Sequence, residues 1–145
     1  MGAPSEPSIH AHSMLRHVRY LAPALALLLI AGCGEQGPTD EEQVRSTVAD
    51  FGRATAAKDY QALCDRILAP SLVEDVTSIG LPCEVAMRQG LEKVRDPRLT
   101  IGQVRVDGNR ASAEVRTAAA GEEPSRDTLK LINVDGSWKI SSLGS

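Results

Sequence analysis

Past position 17 the chain carries no histidine; His10, His12 and His17 are all it has. A domain folded from the remaining residues lacks the commonest general base and metal ligand, which excludes Ser-His-Asp hydrolases and His-ligated zinc or iron. Aromatic side chains are scarce as well, and beyond residue 20 only Phe51, Tyr60 and Trp138 remain. With no basic stripe interleaved with aromatics, nucleic acid is not expected as a partner. The cysteines Cys33, Cys64 and Cys83 show no CxxC spacing, and two thiolates without histidine make an incomplete zinc shell. No cofactor and no metal are expected. A long apolar run is also missing, since Leu21 to Ile30 falls well short of the roughly 20 residues a membrane-spanning helix needs.

What is present upstream is an address. From Met14 the order is a basic region with Arg16, His17 and Arg19, the apolar run, and the small pair Ala31-Gly32 before Cys33, which is the layout of a signal peptide. The stretch Leu29-Ile30-Ala31-Gly32-Cys33 resembles the bacterial lipobox, with Ile30 in place of the more usual leucine. That resemblance implies cleavage before Cys33, a diacylglyceryl group on its sulfur, and an exported protein held on the outer face of the cell membrane. Two or more acyl chains hold a protein durably, because each buried methylene adds about 0.8 kcal/mol. An ordinary secretory signal with an incidental Cys33 is the alternative. Residues 1–13 read as an over-extended start or a signal extension, 14–32 as the lipoprotein signal peptide, 33–38 as a tether, and 39–145 as one domain. Removing Glu6, Arg16 and Arg19 with the leader from 19 acidic and 16 basic residues leaves a net charge of about −4.

The periodicity of the domain changes once. Thr39 and Glu42 form a capping-box pattern ahead of Val44, Val48, Phe51 and Thr55, predicting a helix to about Lys58. Asp59 is the N-cap expected for a second, short helix carrying Tyr60, Leu63, Cys64, Ile67 and Leu68, stopped by Pro70. Ser71 with Glu74 predicts another capped turn before Gly80 and Pro82, and Cys83, Met87, Leu91 and Val94 share one stripe of a helix ending before Pro97. From Leu99 the period is two, with a change of parity at Gly102-Gln103 that predicts a bulge. Asp107-Gly108-Asn109 and Asp135-Gly136 are hairpin turns separating alternating strands. Helices first and strands after, with no internal repeat, define an α+β class: N-terminal helices packed over a curved antiparallel sheet of about four strands.

This order, with the phrases Ala54-Thr55-Ala56-Ala57-Lys58-Asp59-Tyr60 and Asp135-Gly136-Ser137-Trp138-Lys139-Ile140, resembles the nuclear transport factor 2-like (NTF2-like, SnoaL-like) superfamily, in which a cone of helices closes over a sheet. The segment Leu63 to Leu72 with the later Cys83-Glu84 is similar to actinobacterial lipoproteins of that superfamily. Family enzymes are rich in aromatics and histidine inside the cone, and this chain departs from that pattern.

With Cys33 lipidated, Cys64 and Cys83 are the remaining pair, and an exported domain meets oxidising conditions, so a disulfide is expected over a redox or metal pair. Closing a loop of about 20 residues stabilises by roughly 3 kcal/mol. Tyr60, Glu114 and Trp138 are candidate pocket residues, with core packing the competing reading for the aromatics and a solvated strand face for Glu114. The expected function is a non-catalytic, envelope-anchored domain that binds a small apolar ligand or an envelope protein. The alternative is a small isomerase or hydrolase with a carboxylate base in place of histidine, and a homodimer through the sheet is a third role. The parity of the strand Ala111 to Thr117 discriminates the first two, because chemistry calls for an inward Glu114 and packing for inward Ala111, Ala113 and Val115.

Overall fold

The computed structural model describes residues 37–78 and 80–144. Cys33, the leader and the three histidines lie outside the described residues. Helix α1 (Asp40–Ala57) opens with the reciprocal cap: the Glu42 backbone N–H donates to the Thr39 hydroxyl and the Thr39 backbone N–H donates to the Glu42 carboxylate. Three acidic residues in its first turn complement the helix dipole, and Lys58 ends it in a left-handed conformation at φ 55°. Val44 and Val48 are fully buried on its inner face.

Asp59 caps α2 (Tyr60–Ala62) by accepting from the Ala62 backbone N–H. The helix then widens into a π-helical segment, Leu63–Ile67, in which the Leu68 N–H donates to the Leu63 carbonyl. The widened turn releases Leu68 into an extended conformation, and Ala69 N–H donates to Ile140 O at 2.7 Å, stitching the helical layer to the last strand. Pro70, expected to stop this helix, instead occupies the first turn of α3 (Pro70–Thr77), where its missing N–H costs nothing. The N-cap of α3 is therefore Ala69, without a side-chain cap, and the expected Ser71 and Glu74 box does not form. Helix α4 (Cys83–Gly90) also stops short of the expected end near Pro97, and Leu91 and Val94 continue its apolar stripe on irregular backbone.

The four strands β1 (Arg98–Asp107), β2 (Arg110–Ala118), β3 (Ser125–Val134) and β4 (Ser137–Ser142) form an antiparallel meander in chain order. The expected parity change is present, as a register shift between Ile101 and Val104. At the last hairpin Asp135 and Gly136 both take positive φ, 50° and 82°, the backbone that a two-residue turn matched to strand twist requires. Ala111, Ala113 and Val115 of β2 are buried beside Leu129 and Leu131 of β3, while Arg110, Glu114 and Arg116 are exposed. The small β2 side chains leave room for α1 to lie close to the sheet. At Gly52 the helix lies close against β1, since a Cβ there would sit 3.3 Å from the Leu99 Cβ.

Candidate functional site

Inside the fold a cleft of about 240 Å³ opens between α1, the chain after α4, and the joined ends of β1, β2 and β3. It owes its shape to the early end of α4. With helical hydrogen bonding given up after Leu91, that residue, Val94 and Pro97 form one wall, and Arg95 O accepts from Ala120 N–H at 2.8 Å to tie that wall to the β2–β3 loop. Phe51 and Thr55 of α1 and Leu99 of β1 supply the rest of the apolar interior. Thr55 Oγ1 is buried without a hydrogen-bond partner among the described residues. At the cleft's other end Thr117 and Ser125 face each other across β2 and β3 with hydroxyls 2.8 Å apart, and Ser125 Oγ donates to Asp127 Oδ2 at 2.9 Å. The cleft is thus an apolar slot with one orphan hydroxyl in its wall and a short hydroxyl–carboxylate chain at its end. Glu122 and Glu123 stand at its rim.

The three candidate pocket residues are not brought together. Tyr60 is half-buried beneath Arg88, whose guanidinium carbon is 5.6 Å from the ring centroid. Glu114 lies on the outer sheet face, 3.5 Å from Arg105, with over half of its side chain exposed. Trp138 is buried, and its indole N–H donates to Asp40 Oδ1 at 3.1 Å, fixing the start of α1 to β4. Its ring edge reaches a separate, open groove of about 510 Å³ on the other side of α1, lined by charged side chains such as Asp50, Arg53, Asp59 and Arg66. Cys64 and Cys83 are joined by a disulfide that ties the π-helical segment to the start of α4. Among the described residues no cluster of three His, Cys, Asp or Glu side chains is arranged to hold a metal ion.

Sequence reasoning missed Thr55, Thr117, Ser125 and Asp127 as a group. Asp127 shares the inward row of Ile101 and Val115, two residues before the buried Leu129, and strand alternation alone does not mark a polar residue there as part of a site. The one signal available was the polar interruption Ser125-Arg126-Asp127-Thr128 before the apolar pattern of β3 resumes.

Helices capping one face of a four-stranded antiparallel meander, with a cleft at the open end, define a cone-type α+β domain. Comparison with solved structures identifies that fold as NTF2-like. An NTF2-like protein of unknown function from Silicibacter pomeroyi is 22% identical, with 69% of this chain and 88% of that chain covered and a TM-score of 0.50. One from Shewanella baltica is 13% identical over 69% and 86%, with a TM-score of 0.51. A de novo designed NTF2 fold protein is 19% identical over 72% and 85%, with a TM-score of 0.50. Residues 75–142 also match the model of a family described as "putative lumazine-binding". No curated protein matches the chain.

Proposed function

We propose that the protein is an envelope-anchored lipoprotein whose NTF2-like domain binds a small, largely apolar molecule in the cleft between Phe51, Leu91, Val94 and Leu99. The observation that carries this reading is an apolar slot with an unpartnered hydroxyl in its wall. An apolar cavity of roughly 150 Å³ already admits benzene, and this one is larger, at about 240 Å³. Leaving a buried hydroxyl unsatisfied costs about 1–3 kcal/mol, so a bound group that hydrogen-bonds Thr55 recovers stability as well as affinity. The match to a family described as lumazine-binding supports a flat, single or fused ring as the shape of ligand.

Two probes and one family-suggested compound test this. Toluene, phenol and lumazine are titrated while backbone amide resonances are followed. Shifts confined to Phe51, Thr55, Leu91 and Leu99, with Thr55→Val weakening phenol more than toluene, support the reading. Shifts centred on the groove beside Trp138, or none with any compound, would defeat it. For the anchor, the intact mass of the exported chain beside Cys33→Ala decides: wild type should be cleaved before Cys33 and carry acyl mass, and an unmodified wild type removes the anchor.

A second reading draws on one feature. Asp127 is the carboxylate that hydrogen bonding links to the cleft, through Ser125, and a small isomerase or hydrolase would use it as base. Asp127→Asn abolishing turnover of a ring substrate that still binds would favour that enzyme; unchanged binding with no turnover by wild type favours a carrier.

A further inference from the structure

The outer face of the sheet is cationic in a domain where acids outnumber bases. Arg98, Arg105, Arg110, Arg116, Arg126 and Lys130 are all exposed there, alternating with the buried residues of their strands. Glu114 and Asp107 are the acids on the same face, and Glu114 is taken up by Arg105 at 3.5 Å. Arg116 and Arg126 are direct cross-strand partners, with Thr100 completing their row. Like charges placed opposite each other destabilise a sheet, and neither arginine has a carboxylate within ion-pair distance among the described residues. Two opposed, unpaired guanidinium groups near the β2–β3 end of a basic sheet face are an arrangement that external negative charge stabilises.

We propose that this face docks on an anionic phospholipid bilayer, with Arg116 and Arg126 among its principal contacts. A second copy of the chain fits the face poorly, because a two-fold pairing of this face with itself sets basic rows against basic rows. The face is broad, and its two grooves, about 400 Å³ beside Arg116 and Arg126 and about 600 Å³ beside Arg105 and Lys130, are wide open to solvent, which suits many contacts with headgroup phosphates over enclosure of one ion. The choice of a bilayer rests on the anchored reading above. Gly34–Pro38 are all that separate Cys33 from Thr39, so the start of the domain is held within roughly 20 Å of a lipid on that cysteine. A domain of net negative charge tethered that close meets an anionic surface, within the roughly 10 Å Debye length, at low cost only if its basic face leads.

The test uses the chain from position 33 onward with Cys33→Ala, so that neither an acyl group nor the apolar leader masks the face, in co-sedimentation with vesicles containing phosphatidylglycerol and with vesicles of phosphatidylcholine alone. Binding should require phosphatidylglycerol, fall with added salt, and drop at least about tenfold in Arg116→Glu/Arg126→Glu, while the helix-side pair Lys58→Glu/Lys93→Glu leaves it unchanged. The single change Arg126→Glu is expected to raise thermal stability by pairing with Arg116 while lowering vesicle binding, a combination that misfolding cannot produce. Equal loss in both reversed pairs, or equal binding to both vesicle types, would overturn the proposal. So would a wild-type dimer in sedimentation velocity that the reversal abolishes, or a soluble acidic polysaccharide bound as tightly as the vesicles. The anchor is read separately, from exported wild type on phosphatidylcholine vesicles, so its failure leaves the charge-dependent result standing.

Discussion

The two faces of β2 differ by one residue of register and by everything in their chemistry. Ala111, Ala113 and Val115 are buried against helices; Ser112, Glu114 and Arg116 stand between them on the solvent side. The inner face is close-packed along Ala111, Ala113 and Val115 and opens into the cleft only toward Thr117, whereas the outer face is held by exposed polar and charged side chains whose pairwise energies are small. A sheet covered on one side thereby separates two tasks: packing and a ligand cleft within, and electrostatics without.

The largest break in that comparison is a charge on the wrong side. Ala113→Glu is expected to cost about 4 kcal/mol or more in urea denaturation, because it buries an unpaired carboxylate in an apolar layer. Retained stability would mean the helices ride loosely over the sheet. Next comes the disulfide that holds those helices together: Cys64→Ala/Cys83→Ala should cost roughly 3 kcal/mol by the loop-closure model, with a loss well under 1 kcal/mol indicating that packing alone fixes α4. Thr55→Val should stabilise by about 1 kcal/mol, since it replaces an unpartnered hydroxyl with a methyl group; destabilisation would show that the hydroxyl is bonded in solution.

Two smaller effects sharpen the contrast at the surface. The Glu42 carboxyl is held below its ordinary value by the Thr39 backbone N–H and then by the Thr39 hydroxyl. A lowered folded value means the cap's contribution is full above the ordinary carboxylate range and disappears as pH falls through the lowered one. The acid limb of the stability curve should therefore be shallower in Glu42→Gln, and an unchanged limb would show that the capping box is open in solution. Smallest of all, Glu114→Ala should change stability by less than about 0.5 kcal/mol, because both partners of the Arg105 pair are mostly exposed. A large loss there would erase the distinction between the faces.

Local signals were legible where a residue's own chemistry decides its backbone. The Thr39 and Glu42 cap, the Asp59 cap, the bulge after Ile101 and the Asp135-Gly136 turn all follow from neighbours within a few positions. Pro70 was ambiguous because the same ring ends one helix and starts another, and the choice fell to Ala69, whose N–H is spent on Ile140, seventy-one positions away. The end of α4 was likewise hidden: Leu91 and Val94 keep helical spacing in sequence but leave the helix to wall the cleft.

Sequence by itself determined the order of helices and strands, the parity of every strand that carries a clear alternation, and the scarcity of histidine and aromatics in the domain, because these are properties of single residues and short spacings. Only the tertiary structure decided that Thr55, Thr117 and Leu91 share one cleft, that Trp138 secures the start of α1 instead of lining that cleft, and that Arg116 faces Arg126. Those relations join positions far apart in the chain, and they exist only once the register of the strands and the placement of α1 across the sheet are set.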